Sequence, residues 1–283
     1  MWEMNNVLVP MDFSDQSEQS LKCSFSLAKQ FGASIDILNI TDFEKISEDY
    51  AGHRGTKESL IKVIENEAQL KVNKIVKERD WQGLKVYGIN ISGTAADKII
   101  QVARQRKTHV ITMSTRGKGN TTDFIIGSTT YKIIRTAPCP VLSISNPKMG
   151  LNATKVLFTT DFSENSYFAY EYAVSIAKKF NSELHLLNVF DATIPDIAKF
   201  EEKFSALKGA AFQEGVLNIK ASQVKEKDAA DGIIKYIEAN GIDMVVIATH
   251  GHSGVRQYFL GSKTVDVISR STVPVLLVRR LEY

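Results

Sequence analysis

Val7-Leu8-Val9-Pro10-Met11-Asp12-Phe13-Ser14 returns 149 residues later as Val156-Leu157-Phe158-Thr159-Thr160-Asp161-Phe162-Ser163. In each copy a short apolar run reads as a buried strand, an aspartate follows it, and a serine caps a helix. The first helix runs to about residue 31, with Leu21, Phe25 and Ala28 on one face and Gly32 as its stop. Further along, Leu38-Asn39-Ile40 repeats as Leu187-Asn188-Val189 at the same offset. The offset then falls to 134: Ala95-Ala96-Asp97 matches Ala229-Ala230-Asp231, Gly127-Ser128 matches Gly261-Ser262, and Pro140-Val141-Leu142 matches Pro274-Val275-Leu276. Two constant shifts separated by one 15-residue deletion are what two homologous domains leave behind. The period is domain-sized, far beyond the roughly 20–50 residues of solenoid repeats.

Composition fits two globular domains. Of 283 residues 43% are apolar and 24% charged, so two ordinary cores are possible. Thirty-five basic against 32 acidic residues leave +3, too small and too scattered an excess to argue for nucleic acid or a membrane surface. No apolar run approaches about 18 residues, so no membrane span is expected. The N-terminus carries no basic stretch followed by an apolar one, which argues against secretion. Cys23 and Cys139 occupy unmatched places in the repeat, which disfavours a disulfide framework and suits a reducing, cytoplasmic setting.

Short apolar runs alternate with amphipathic stretches through both halves. In the first, strands are expected at residues 7–10, 35–40, 84–89, 109–113 and 141–144, with helices at 14–31, 57–79, 95–104 and 128–135. In the second, strands fall at 155–159, 184–189, 219–224, 244–248 and 275–278, with helices at 166–180, 229–239 and 262–270. A shorter variable region takes the place of the long helix after the second strand. Such alternation implies two similar α/β domains, each an open, five-stranded, mostly parallel sheet with helices on both faces. The domains are expected at residues 1–146 and 152–283, joined by a turn-rich linker at 147–151 short enough to make them pack together.

In open parallel sheets ligands collect beyond the carboxyl ends of the strands, where strand order reverses. Two elements fall there in each half. One is Asp12 or Asp161, just after the first strand. The other is the loop after the fourth strand, Ser114-Thr115-Arg116-Gly117-Lys118-Gly119-Asn120 up to Gly127-Ser128. Its counterpart is Ala248-Thr249-His250-Gly251-His252-Ser253-Gly254 up to Gly261-Ser262. Small residues admit a ligand to the backbone, and a helix opening at Gly-Ser offers free N–H groups to phosphate. Alternatively Gly-Ser only caps a helix and the glycines only turn the chain; recurrence of glycines ten positions apart in both copies weighs against that. Neither loop is Gly-x-x-x-x-Gly-Lys-Ser/Thr or Gly-x-Gly-x-x-Gly, because Thr122 stands where the latter needs its third glycine.

Taken together, the two α/β halves, the aspartate after the first strand and the glycine loop closed by Gly-Ser resemble a tandem universal stress protein over nearly the whole chain. The resemblance implies a Rossmann-like, nucleotide-binding α-hydrolase-like fold in each half. Nucleotide-binding members carry Gly-x-x-Gly-x9-Gly-Ser/Thr on the ATP phosphates and an aspartate near adenine and ribose. Carried over, the second copy supplies Ala248, Gly251, Gly254, Gly261 and Ser262 at the phosphates, with Asp161 and Val189 at the nucleoside. The first supplies Ser114, Gly117, Gly127 and Ser128, with Pro10, Asp12 and Ile40. The family's leading glycine is Ala248 in one copy and Ser114 in the other, and Asn120 replaces Gly254. The second loop matches more closely and is favoured. In this family the last strand forms the dimer, so Val141-Leu142-Ser143-Ile144 and Val275-Leu276-Leu277-Val278 are expected as edges that make an intrachain pseudo-dimer, with a further homodimer open.

Three readings follow. The first is a cytoplasmic ATP-binding stress-response module, with Mg²⁺ accompanying the nucleotide and an unnamed protein partner reading its state. The second is an interaction protein without nucleotide. The third is a slow ATP hydrolase, disfavoured by the missing Walker lysine and by the lack of an acid matched to Asp12 or Asp161. His250 and His252 have no third ligand, so no metal site is expected. Arg116, Lys118 and Arg256 could face phosphate, though loop cations are most often solvated. His53, His109 and His185 have no partner legible in the sequence, and Cys23 reads as a buried inert thiol.

Overall fold

The computed structural model describes residues 1–42, 57–115, 126–145, 150–191, 197–249 and 262–280. In the first half, strands β1 (Asn6–Pro10), β2 (Ser34–Thr41), β3 (Val86–Ser92), β4 (Val110–Ser114) and β5 (Val141–Ile144) alternate with helices α1 (Asp15–Phe31), α2 (Lys57–Glu78), α3 (Ala95–Gln105) and α4 (Ser128–Thr136). The second half has β6 (Lys155–Thr159), β7 (Glu183–Phe190), β8 (Ile219–Lys225), β9 (Met244–Ala248) and β10 (Val275–Val278). Its helices are α5 (Glu164–Phe180), α6 (Ile197–Gln213), α7 (Ala229–Asn240) and α8 (Ser262–Arg270).

Local chemistry sets these limits in duplicate. Ser14 and Ser163 are the N-caps of α1 and α5, accepting from the N–H of Ser17 and Ser166 at 3.2 and 3.3 Å. Gly32 closes α1 in the left-handed region at φ 68°, and Asn181 closes α5 at φ 52°, the two residue types that tolerate it best. Two elements depart from the sequence reading. Strand β3 starts at Val86, because Leu84 is held in a turn by its N–H bond to the carbonyl of Trp81. The region after β7 contains a 17-residue helix, α6, which places Phe204, Leu207 and Ala211 in the core.

All ten strands form one sheet in the order β3-β2-β1-β4-β5-β10-β9-β6-β7-β8. Within each half the pairings are parallel, as expected for helix crossovers. Between halves β5 pairs with β10 antiparallel, Leu142 opposite Leu276. The two edge strands therefore cover one another, and the sheet runs unbroken through both domains. Reciprocal bonds flank the junction. Arg279 donates to the carbonyls of Arg135 and Ala137 at the end of α4, and Ser145 donates to the carbonyl of Ser271 at the end of α8. Trp2 adds an aromatic bridge, its ring 5.4 Å from Phe31 of α1 and 4.7 Å from Tyr172 of α5.

Alternating strand residues feed two apolar layers. Val7, Val9, Ile35 and Ile37 face α1 and α2, and their layer continues through Val156, Phe158, Tyr170 and Phe204 of the second half. Leu8 and Leu38 join Ile99, Val102, Leu187, Ile233 and Val267 beneath α3, α4, α7 and α8. No described helix is long and apolar enough to cross a membrane. Cys23 and Cys139 are unpaired, and burial pushes both thiols up to about 12, which suits packing rather than reactivity.

Candidate functional site

In each half strand order reverses between the first and fourth strands: β1 beside β4, and β6 beside β9. Over the second reversal lies a cleft of about 160 Å³. Thr159, Thr160 and Asp161 line it from the end of β6, Leu187 and Val189 from β7, and Ile247 and Ala248 from β9. Ser166, Ala229, Ile233 and Lys263 complete the wall from the helices. Whole small-molecule sites run to roughly 300–1,000 Å³, so this cleft is sized for part of such a ligand. The walls are mainly apolar, with a carboxylate toward one side and an ammonium toward another. A larger hollow of about 420 Å³ lies away from the reversal, among Leu21, Phe25, Trp81 and Arg79. There Arg79 is held by both carboxylate oxygens of Glu18, at 2.7 and 2.9 Å.

The aspartate turn is built alike in both halves. The Thr160 N–H donates to the carbonyl of Leu187 at 2.9 Å, and the buried Asn188 amide donates to the carbonyl of Thr160 at 2.7 Å. In the first half Met11 makes the matching bonds with Leu38 and Asn39, at 2.8 and 2.7 Å. Oδ1 of Asp161 accepts from the N–H of Ser163 at 3.0 Å. Oδ1 of Asp12 accepts from both the N–H and the hydroxyl of Ser14, at 3.0 and 2.5 Å. Each aspartate thus orients the turn into its helix while the serine caps it, and each carboxylate stays only partly covered.

Between aspartate and serine the chain is strained. Phe13 and Phe162 lie at φ 63° and 60°, a region that costs a bulky L-residue of the order of 1–2 kcal/mol. Packing holds them there. Phe162 meets Phe200 and Phe204 of α6 at 5.5 and 5.2 Å between ring centres, and Lys203 lies over its face at 4.8 Å. Phe13 carries Lys71 of α2 at 5.6 Å. The helix missing from the sequence reading therefore supports the Asp161 turn.

At the other end of the site, α4 opens without a side-chain cap. Gly127 is its N-cap, no side-chain cap bond is formed, and the Gly127 N–H is fixed to the carbonyl of Thr115 at 2.9 Å. Helices α1, α5 and α7 instead start on Ser14, Ser163 and Asp228, each of which accepts from its helix. Gly127 is at φ −58°, and an added Cβ would meet nothing among the described residues closer than 3.6 Å. Neither conformation nor crowding among the described residues requires glycine here. Gly127 caps α4 through its backbone alone, its carbonyl accepting from the N–H of Tyr131 at 2.9 Å, and α3 likewise starts on Thr94 without a side-chain cap bond.

The sequence profile of the universal stress protein family matches residues 3–145 and again residues 152–279. The chain belongs to the universal stress protein family. A universal stress protein of Synechocystis is 26% identical over 298 residues, covering 98% of this chain and all (100%) of that one. One from Methanocaldococcus jannaschii is 28% identical over 142 residues, covering 50% of this chain and 82% of its own. Among solved structures, a universal stress protein from Archaeoglobus fulgidus superposes with a TM-score of 0.77 at 20% identity, over 98% of this chain and 97% of that one, a likeness of fold.

Within this universal stress fold, Asp161, Val189 and Ala248 come together in the second cleft. Ser262 opens α8, while Gly251, Gly254 and Gly261 lie outside the described residues, as do His250, His252 and Arg256. In the first half Pro10 ends β1, Asp12 follows it, Ile40 lies on β2, Ser114 ends β4, and Gly127-Ser128 starts α4. Gly117, Arg116, Lys118 and Asn120 lie outside the described residues, as does most of the linker. The sequence reading missed Lys263, Thr160 and Gly232. A Cβ on Gly232 would sit 2.7 Å from Cγ1 of Val189, so glycine at this point of α7 is what lets Val189 lie back against the cleft wall. Comparing copies exposes all three, since Met11, Lys98 and Thr129 stand where the second half has Thr160, Gly232 and Lys263.

Proposed function

We propose that this universal stress protein is a cytoplasmic nucleotide-binding regulatory module that holds ATP in its second half. The observation supporting it most directly is the cleft over the β6/β9 reversal, with Asp161 on one side and the start of α8 on the other. The apolar floor of Leu187, Val189, Ile233 and Ile247 suits a base. The Asp161 carboxylate suits ribose or amino hydrogens, and Gly261-Ser262 at the head of α8 suits phosphate. Mg²⁺ arriving with the nucleotide would neutralise phosphate charge. The chain's own part is to bind and orient, and a bound nucleotide would alter the surface offered to a protein partner.

Titration of nucleotide-stripped protein with ATP·Mg²⁺ in a calorimeter tests this. One site per chain is expected, abolished in Gly261→Val and retained in Gly127→Val. No heat and no thermal stabilisation at millimolar ATP would leave an interaction protein whose glycine loops serve the fold alone.

A further inference from the structure

Lys263 breaks a local rule. It is the second residue of α8, where the helix presents the positive end of its dipole, and the first turn holds no acidic residue to offset the added cation. No ion pair joins it to another described residue, and its side chain is exposed at the wall of the second cleft. The other half shows that the fold does not ask for this charge. The matching residue is the neutral Thr129, on a helix of the same nine-residue length, and Thr130 beside it donates to the carbonyl of Ser114 at 3.0 Å. A cation in an electrostatically adverse place, kept in one copy beside a cleft, makes sense where an anion completes the local charge balance.

Resting on the nucleotide reading of this cleft, we infer that Lys263 is a specificity-determining residue for the length of the phosphate chain, favouring nucleoside triphosphate over less charged nucleosides. The ammonium on its flexible stem acts as a point charge toward the terminal phosphates, while Asp161 and the apolar floor read the nucleoside. Among the described residues the first half carries the neutral Thr129 at this point, so the two halves differ here in charge.

The test compares ATP and adenosine binding to full-length wild type and K263Q, together with their unliganded melting temperatures. A charge-assisted contact corresponds to about tenfold weaker ATP binding in K263Q, with adenosine affinity unchanged. The unliganded variant should melt at or above wild type, because the adverse cation is gone; a residue with a purely structural role would not give that pair of results. Unchanged ATP affinity, or equal losses for ATP and adenosine, overturns the inference while leaving the nucleotide site in place. Wild type that binds neither ligand overturns the site itself, and Lys263 with it.

Discussion

The two halves share a backbone plan yet bury different polar groups at the same point of the second strand. In the first half Asp36 is fully buried and grips Arg106 through both oxygens, at 2.7 and 3.1 Å, with Tyr87 beneath the guanidinium at 5.3 Å. In the second, His185 holds that position, 1% exposed, with Nδ1 2.9 Å from the hydroxyl of Tyr236, which also lies 3.1 Å from Ser222. Nε2 approaches Oε1 of Glu183 at 3.2 Å without hydrogen-bond geometry, and Lys220 binds that same oxygen at 2.5 Å. One half thus rests on a charge pair and the other on a largely neutral network. The cleft side differs in the same spirit: Ile40 and Lys98 stand where the second half has the smaller Val189 and Gly232, and Met113 where it has the branched Ile247. Duplication preserved the frame while each copy settled its interior separately.

The largest effect that could break this contrast is expected from Arg106→Ala, which strands a buried carboxylate. It should cost on the order of 3 kcal/mol in denaturant unfolding, and removing both charges in an Asp36→Leu/Arg106→Met variant should cost less. A single-variant loss within experimental error would mean that Asp36 is hydrated after all. Tyr236→Phe removes one hydroxyl from the second network and should cost about 1–2 kcal/mol by the same measurement. Gly232→Ala acts on the cleft. The new methyl pushes Val189 into ligand space, so ATP affinity should fall on the order of tenfold while circular dichroism stays native. Unaltered binding would remove Val189 from the cleft wall.

The smallest expected effect is the response to pH. Burial, the dominant cause, lowers the pKa of His185, partly opposed by Glu183, so the folded protein holds it neutral. The unfolded chain binds a proton near the ordinary value of about 6.5, so stability should decline as pH falls below that value toward the lowered folded one. His109, beside Oδ1 of Asn6, is lowered by burial as well. Loss of part of the slope in His185→Phe therefore assigns the second half's share, and a slope identical to wild type would deny it.

How much of this was legible in the sequence depended on range. Ser14, Gly32 and the apolar runs act on near neighbours, and the elements they delimit appear where their chemistry puts them. Helix α6 was hidden by the 15-residue deletion, which broke the correspondence with α2, although Phe200, Phe204, Leu207 and Ala211 carry a helical period. The partners of Asp36 and His185 lie 70 and 51 residues away, and only the folded sheet brings them together. For the site, the aspartates were legible because the copies agree, whereas Lys263 is informative because they disagree.

The pairing of β5 with β10 has one further consequence. Many two-domain binding proteins close over a ligand like a clamshell, rotating about a flexible strap. Here the strap is replaced by a bonded ladder, and each of α4 and α8 is fastened at its far end to the opposite half. Opening the halves would mean tearing a sheet in its middle. If the proposed nucleotide binds, its message would be carried at the helix starts around a stationary slab, and a partner would read that rim rather than an angle between lobes.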